Sequence, residues 1–200
     1  MHLAVFGATG RTGRVVVAHA LRRGHRVTAL ARDPSRIDAH PGLRAVRGDV
    51  RDPAAVAATL RGTDAVASTL GRPRRGPDIC AEGIRTVLAA DGPTRLVILT
   101  NYGVAESRRR SAYVALSWLL ERSVLRDKER MEALLRDSAA DWTLVRTPML
   151  TDSPATGRYR AGTDLHPGLT ARVSRADLAE FMLDVLGDDA YVRRSVTVTT

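Results

Sequence analysis

The stretch Gly7-Ala8-Thr9-Gly10-Arg11-Thr12-Gly13 lies between an apolar run at 3–6 and a valine- and alanine-rich run at 15–21. The first run is typical of a buried strand and the second of a helix. A glycine turn from a strand into a helix directs free N–H groups and the positive end of the helix dipole at one point. Such a point favours an anion, most often a dinucleotide diphosphate. The spacing G-x-x-G-x-x-G is weak by itself, so its position favours this interpretation over an ordinary tight turn.

A second predicted strand ends at Arg32, 19 positions beyond Gly13. In dinucleotide-binding folds a residue about 20 positions past the glycines faces the adenosine ribose, where an acid selects NAD and an arginine selects NADP. A guanidinium matches phosphate geometry, and Ser35 and Arg36 can close the other side of a 2′-phosphate. Because arginine is abundant in this chain, a merely solvated Arg32 is the alternative. The sequence predicts NADP as the cofactor.

The composition is that of one globular domain. The chain has 200 residues, of which 44% are hydrophobic and 26% charged, enough for a sizeable core. No apolar run approaches the roughly 20 residues of a membrane span, and no targeting segment is recognisable before the first strand. Cys80 is the only cysteine and the five histidines are scattered, which argues against disulfides and metal sites. We expect a cytoplasmic protein that holds no metal.

The net charge of +9 raises the question of nucleic acid. Nearly all of the basic charge is arginine, since Lys128 is the only lysine. The basic runs at 72–75 and 108–110 have no interleaved aromatic residues, and no helix-turn-helix or zinc-finger spacing occurs. We interpret both runs as solvated loops, with contact to an anionic substrate or to cofactor phosphates as the alternative. The expected partner is a small molecule, not nucleic acid or a membrane, and the expected state is a monomer or a small homo-oligomer.

Strand-like and helix-like segments alternate along the chain. This predicts an α/β fold, a single Rossmann-like domain over 1–200 with a doubly wound parallel sheet. The predicted strands are 3–6, 26–31, 43–47, 65–69, 96–100, 143–146 and one near 195–198. The predicted helices are 11–23, 53–60, 77–90, 113–136, with a candidate break near Ser123, and 175–186. Residues 151–171 are irregular, and we expect them either on the substrate side or as a mere connection.

Known catalytic patterns are missing. The Tyr-x-x-x-Lys pair, in which the ammonium lowers the pKa of the phenol, is absent because Val124 stands four positions before Lys128. Neither a G-x-S-x-G elbow nor a Walker loop occurs. We therefore expect the chemistry to depend on the cofactor, with the protein supplying position and environment.

The reacting carbon of the nicotinamide should lie beyond the carboxyl ends of the fourth to sixth strands. Those ends are residues 70–71, 100–102 and 147–149. The candidate catalytic residues are Asn101 and Tyr102, which can donate hydrogen bonds to a substrate carbonyl, and Lys128, which can bond the ribose or carry a proton. For Tyr102, the alternative is a half-buried loop aromatic without a catalytic role.

Several motifs together resemble a known family. They are VFGATGRTG at 5–13, VTALARD at 27–33, GDV at 48–50, DAV at 64–66, Arg130-Met131 with Leu135-Arg136, RVSRADL at 172–178 and FML at 181–183. Through them the chain resembles, essentially end to end, the atypical NAD(P)H-binding (NmrA-like) short-chain dehydrogenases. Within these it is most similar to the biliverdin reductase B, or flavin reductase, group.

The resemblance implies a set of cofactor contacts. The diphosphate would lie on the amides of 9–13, the 2′-phosphate on Arg32 and Arg36, adenine near 49–50, and nicotinamide near 70–71, Asn101 and Pro148. The full predicted set is Gly7, Thr9, Gly10, Arg11, Thr12, Gly13, Arg32, Arg36, Asp49, Val50, Leu70, Gly71, Thr100 and Pro148. Two departures concern the substrate: Asn101 replaces a serine, and Lys128 and Met149 replace histidines.

The resemblance also implies hydride transfer from NADPH to a loosely held flavin or tetrapyrrole. We expect an NADPH-dependent oxidoreductase that reduces a small conjugated acceptor, flavin- or quinone-like. The alternatives are a non-catalytic NADP(H) redox sensor that regulates a partner, and a natural-product biosynthetic reductase or epimerase. Steady NADPH oxidation with FMN favours the first, and tight NADP⁺ binding without turnover favours the sensor.

Overall fold

The computed structural model describes residues 1–72 and 76–200, so Arg74 and Arg75 of the first basic run lie outside the described residues. The strands are β1 (His2–Phe6), β2 (Arg26–Ala31), β3 (Leu43–Arg47), β4 (Ala65–Ser68), β5 (Arg95–Asn101), β6 (Asp141–Thr147), β7 (Met149–Thr151), β8 (Arg160–Gly162), β9 (Arg172–Ser174) and β10 (Arg194–Thr199). The α-helices are α1 (Arg11–Arg22), α2 (Pro53–Leu60), α3 (Ile79–Ala89), α4 (Ala112–Arg136) and α5 (Arg175–Asp184).

Eight of the strands form one twisted sheet in the order β3-β2-β1-β4-β5-β6-β10-β8. Its first seven strands are parallel, and the edge strand β8 is antiparallel to β10, with Ala161 opposite Val198. Strands β7 and β9 pair separately. The predicted Rossmann-like, doubly wound α/β fold in a single domain is confirmed. The antiparallel edge strand β8 was not predicted. The strand order reverses between β1 and β4, which is where ligands bind in open sheets of this kind.

Both faces of the sheet are covered by helices. In β1, Leu3 and Val5 belong to the apolar layer that holds α1 and α5, whereas Ala4 and Phe6 belong to the layer that holds α2, α3 and α4. Successive side chains of a strand point to opposite faces, so a strand that is buried on both faces is apolar at every position. This explains why LAVF at 3–6 has no polar alternation.

The longest helix, α4, is kinked. Glu121 has φ −130° and ψ 26°, two residues before the expected break at Ser123. The second half of α4 buries Leu125, Met131 and Leu135, while the first half leaves Leu119 80% exposed. The kink therefore divides α4 into a second half that packs in the core and a first half that lies near the carboxyl ends of β5 and β6.

Residues 151–171 are less irregular than the sequence indicates, since they hold the end of β7 and all of β8. Strands of three residues are too short to show alternation, which is why the pattern missed them. The buried carboxylate of Asp177 accepts hydrogen bonds from the N–H groups of Thr156 and Gly157, at 2.9 and 2.8 Å. This segment is thereby fastened to the start of α5. Among the helices that the structure describes, none is long and apolar enough to span a bilayer.

Candidate active site

Two adjoining clefts open at the carboxyl edge of the sheet. The glycine cleft, about 500 Å³, runs from the turn 7–13 past Leu30 and Arg32 to Asp49 and Val50. The helix cleft, about 490 Å³, lies between the first half of α4 and the ends of β5 and β6. The residues that line both clefts are Thr12, Thr69, Leu70, Gly71, Arg72 and Arg175. One long ligand can therefore pass from the first cleft into the second.

The glycine turn is built by close backbone packing. Gly7 has φ 83°, and a Cβ there would lie 2.8 Å from the carbonyl carbon of Thr69. A Cβ on Gly13 would lie 2.0 Å from the carbonyl oxygen of Gly7. Gly10 is the N-cap of α1 and offers no side chain to the first helical amides, which have no acceptor within the helix. These amides and the helix dipole form a place for an anion.

Most of the predicted cofactor residues come together. Those that line the glycine cleft are Gly7, Gly10, Arg11, Thr12, Arg32, Asp49, Val50, Leu70 and Gly71. Thr100 and Pro148 line the helix cleft, together with Leu70, Gly71 and Thr12. Thr9, Gly13 and Arg36 line neither cleft. Gly13 is packed against Gly7 instead, so its part in the turn is to let helix and strand approach.

Arg36 lies apart from Arg32. It lines a separate cavity of about 300 Å³ with Arg14 and Ile37. The cause is local, because the carboxylate of Asp33 accepts a hydrogen bond from the N–H of Ser35 and starts a 3₁₀ turn over Pro34–Arg36. Arg32 is thus the arginine that the structure brings to the end of the glycine cleft.

Asp49, at the same end, is already paired. The Arg51 side chain donates to its carboxylate at 2.8 Å. This hydrogen bond is the main reason that the pKa of Asp49 is lower than its ordinary value. Asp49 is therefore an anion whose charge is compensated from outside the cleft.

Lys128 lies at the helix cleft, as predicted, but its nitrogen is engaged. Its Nζ donates to the carbonyl oxygens of Leu70 and Leu99, at 2.7 and 2.8 Å, and the residue is only 4% exposed. Leu70 follows β4 and Leu99 lies in β5, so the ammonium ties two neighbouring strand ends together. The neighbouring Asp127 is fully buried and accepts from the N–H groups of Cys80 and Ala81 at the start of α3. The structure presents Lys128 first as a positioning residue.

Tyr102 does not reach the helix cleft, contrary to the prediction that it donates to a substrate. It is 3% exposed, and its ring packs against Tyr113 with centroids 6.0 Å apart. Its N–H donates to the carbonyl oxygen of Thr147, which turns the chain inward after β5. Tyr113 lines the cleft in its place. Burial raises the pKa of Tyr113, so its phenol is neutral at physiological pH and can donate a hydrogen bond.

Asn101, the last residue of β5, lines the helix cleft and is half-buried. The preceding Thr100 turns its hydroxyl inward and donates to the fully buried Glu132 at 2.9 Å. Glu132 also accepts from Arg146 on β6, at 2.6 Å. This buried network holds the strand end that carries Asn101.

The rim of the helix cleft is apolar. Leu116, Leu120, Met149 and Leu169 line it and are 47%, 51%, 54% and 57% exposed. Exposed apolar side chains gathered around a cavity indicate a ligand or partner that covers them. Two arginines, Arg72 and Arg175, stand where the clefts meet. Arg72 belongs to the basic run 72–75, for which contact with an anionic substrate or with cofactor phosphates was the alternative interpretation, whereas Arg175 was not predicted as a site residue.

Comparison with known proteins gives the family. The model of the NAD(P)H-binding family matches residues 7–189. The chain belongs to this family. The predicted membership is confirmed, and the match includes the glycine turn and the edges of both clefts.

Proteins that are similar to this chain include reductases. The reductase pytE of Aspergillus terreus is 26% identical over 256 aligned residues, which cover 98% of this chain and 97% of that protein. The anaerobilin reductase ChuY of Escherichia coli O157:H7 has a TM-score of 0.83 and 24% identity over 99% of this chain and 96% of its own. A short-chain dehydrogenase/reductase of Veillonella parvula in complex with NADP has a TM-score of 0.82 and 16% identity over 100% and 94%. By family this chain is an NAD(P)H-binding protein, and the proteins similar to it include reductases.

Proposed function

We propose that this protein is an NADPH-dependent reductase of a small, flat, conjugated acceptor of the flavin or quinone kind. The observation that carries the proposal is the continuity of the two clefts. The dinucleotide would bind along the glycine cleft, and the acceptor would enter the helix cleft, where Leu70 and Gly71 border both.

The residues present fit a dinucleotide. A side chain on Gly7 would collide with the chain after β4, so the turn exists only with glycine there. The first amides of α1 suit a diphosphate, and Arg32 suits a 2′-phosphate. Asp49 has its charge compensated by Arg51, so it does not oppose an anion at this end. These features support NADPH over NADH.

The helix cleft suits an acceptor that needs no strong protein acid. When bound, NADPH supplies a hydride, which carries two electrons and one proton, and water supplies the second proton to the acceptor. Lys128 already donates to two carbonyl oxygens and Tyr102 is buried, which argues against these two residues as a paired proton relay to the cleft. Asn101 and Tyr113 can donate hydrogen bonds that orient the acceptor, and the leucine rim covers its apolar face.

A second candidate, a non-catalytic NADP(H)-dependent regulator, is favoured by one observation. Leu119, on the outer side of the first half of α4, is 80% exposed, and Leu116 and Leu120 beside it are about half exposed. Such a surface fits a partner protein with an apolar face, whose binding to α4 would depend on whether the neighbouring cleft holds a ligand.

The test is NADPH consumption with FMN, a quinone and a simple ketone, measured by the loss of NADPH absorbance. We expect turnover with FMN and the quinone and little with the ketone. A preference for the ketone would show that a dedicated proton donor exists. Tight NADPH binding without turnover on any acceptor would favour the regulator instead.

A further inference from the structure

One carboxylate joins the first residues of two helices at the glycine cleft. Asp152, just after β7, accepts from Arg175 at the start of α5 at 2.6 Å, and it also accepts from Arg11 at the start of α1. Arg11 lines the glycine cleft, and Arg175 lines both clefts. Asp152 is therefore an anion held between two cations at the place where the clefts meet.

The positions of these arginines are unusual for helices. A cation in the first turn is opposed by the helix dipole, which favours anions there. Both Arg11 and Arg175 occupy such a position. The first turn of α1 contains no acidic residue, and the one in the first turn of α5, Asp177, accepts from Thr156 and Gly157. In this structure the anion that both guanidinium groups contact is Asp152.

In the cluster of Asp152, Arg11 and Arg175, another anion can replace the carboxylate at the arginines. The side chains of Asp152 and Arg11 are 61% and 72% exposed, and ion pairs in such a setting contribute little to stability. The side chain of Arg175 is only 11% exposed. Its Nε is buried and has no hydrogen-bond partner among the residues that the structure describes. Arg175 thus stays in place and keeps one donor free.

We propose that Asp152 is an internal stand-in for the cofactor's diphosphate, and that the two anions compete for Arg11 and Arg175. The inference rests on the proposed function insofar as the dinucleotide binds in the glycine cleft. Arg175 becomes a cofactor-binding residue that the sequence did not reveal. Asp152 becomes a residue that weakens cofactor binding and ties residues 151–171 to the glycine turn.

The test is calorimetric binding of NADP⁺, ADP and adenosine to the wild type and to Asp152→Asn. We expect Asp152→Asn to bind NADP⁺ and ADP about two- to tenfold more tightly, the range that one or two exposed ion pairs give. Adenosine, which carries no phosphate, should bind both proteins equally. The gain should shrink at high salt, since exposed charges are screened.

The matched control is Asp164→Asn, which removes the same charge from an exposed position of the same segment, where the Asp164 carboxylate accepts a hydrogen bond from its neighbour Thr163. It should leave all three affinities at the wild-type level. Arg175→Gln should weaken NADP⁺ and ADP but not adenosine. Thermal unfolding of each variant shows that it is folded before binding is compared.

Three outcomes would overturn the inference. Weaker NADP⁺ binding in Asp152→Asn would mean that Asp152 positions the arginines for the cofactor. A change in affinity equal to that of Asp164→Asn would reduce the effect to net charge. Wild-type affinities in Arg175→Gln would remove Arg175 from the cofactor site.

The failure of the inference and that of the proposed function can be told apart. A wild type that binds neither NADP⁺ nor ADP would overturn both, whereas normal binding without turnover would affect the proposed function alone.

Discussion

At the scale of single residues, we propose that Arg32 carries the choice of cofactor. It stands at the end of the glycine cleft, where a 2′-phosphate would lie. Arg32→Ala should weaken NADPH binding by about 1.5–3 kcal/mol, the value of a charged hydrogen bond, and leave NADH almost unchanged. The measurement is the Kd of both cofactors.

Arg44→Ala is the control for Arg32, because Arg44 is also exposed, on β3, and lines neither cleft. It should change neither Kd. Equal losses of NADPH and NADH in Arg32→Ala would place the 2′-phosphate elsewhere.

The sequence predicts Lys128 as a catalytic residue, whereas its hydrogen bonds in the structure are those of a residue that supports the fold. Lys128→Met keeps an unbranched side chain, one atom shorter, but removes two buried, charged hydrogen bonds to Leu70 and Leu99. We expect the free energy of unfolding in urea to fall by about 1.5–3 kcal/mol. Turnover should fall through a higher KM, because the loops after β4 and β5 lose their common support.

Arg126→Met is the control, because Arg126 is an exposed arginine of α4, and the change should alter stability little. If Lys128→Met left stability unchanged and abolished kcat at every pH, then Lys128 would be a proton carrier, as the sequence first indicated.

At the scale of elements, a charge network joins α4, β6 and the 3₁₀ turn Ala105–Ser107. Glu132 and Arg146 are buried in it, whereas the side chain of Glu106 is 58% exposed. Burial acts to raise the pKa of Glu106, but the hydrogen bond and charge of Arg146, with the charge of Arg136, lower it to about 2. Because the pKa is lower in the folded state, ionised Glu106 stabilises the fold above its ordinary pKa of 4.5. That stability should be lost as the pH falls from about 4.5 towards 2.

Glu106→Gln should therefore flatten the acid limb of a plot of Tm against pH, and lower Tm near neutral pH. Asp164→Asn, whose carboxylate lies outside this network, should leave the acid limb as it is in the wild type. An acid limb that is the same in Glu106→Gln would show that other carboxylates, such as Glu132, govern unfolding in acid.

Elements were the level at which the sequence was most informative. The strands 26–31 and 43–47 and the helix 53–60 have the bounds that were predicted. Two helix starts have side-chain caps of a kind that the local sequence encodes: Asp52 accepts from the N–H of Ala54, and Ser174 from that of Asp177, both at 2.9 Å. These features depend on neighbours within a few residues, so the local pattern contains the information.

At the scale of the whole molecule, the two clefts depend on contacts between distant parts of the chain. Asp152 and Arg11 are 141 positions apart, and His19 and Glu180, which join α1 to α5, are 161 apart. No local pattern encodes such pairs. One signal was nonetheless present, because an arginine in the first turn of a helix is unfavourable unless an anion accompanies it.

The sequence by itself determined the glycine turn, the alternation of strands and helices, the doubly wound sheet and the place of Arg32, because each follows from backbone conformation or from side-chain period. Only the tertiary structure decided that Tyr102 is buried while Tyr113 faces the cleft, and that Lys128 supports two strand ends. It also decided that Asp152 joins two helix starts. The physical reason is that a strand's end fixes where its loop begins, whereas the packing of helices from remote segments fixes which way that loop's side chains turn.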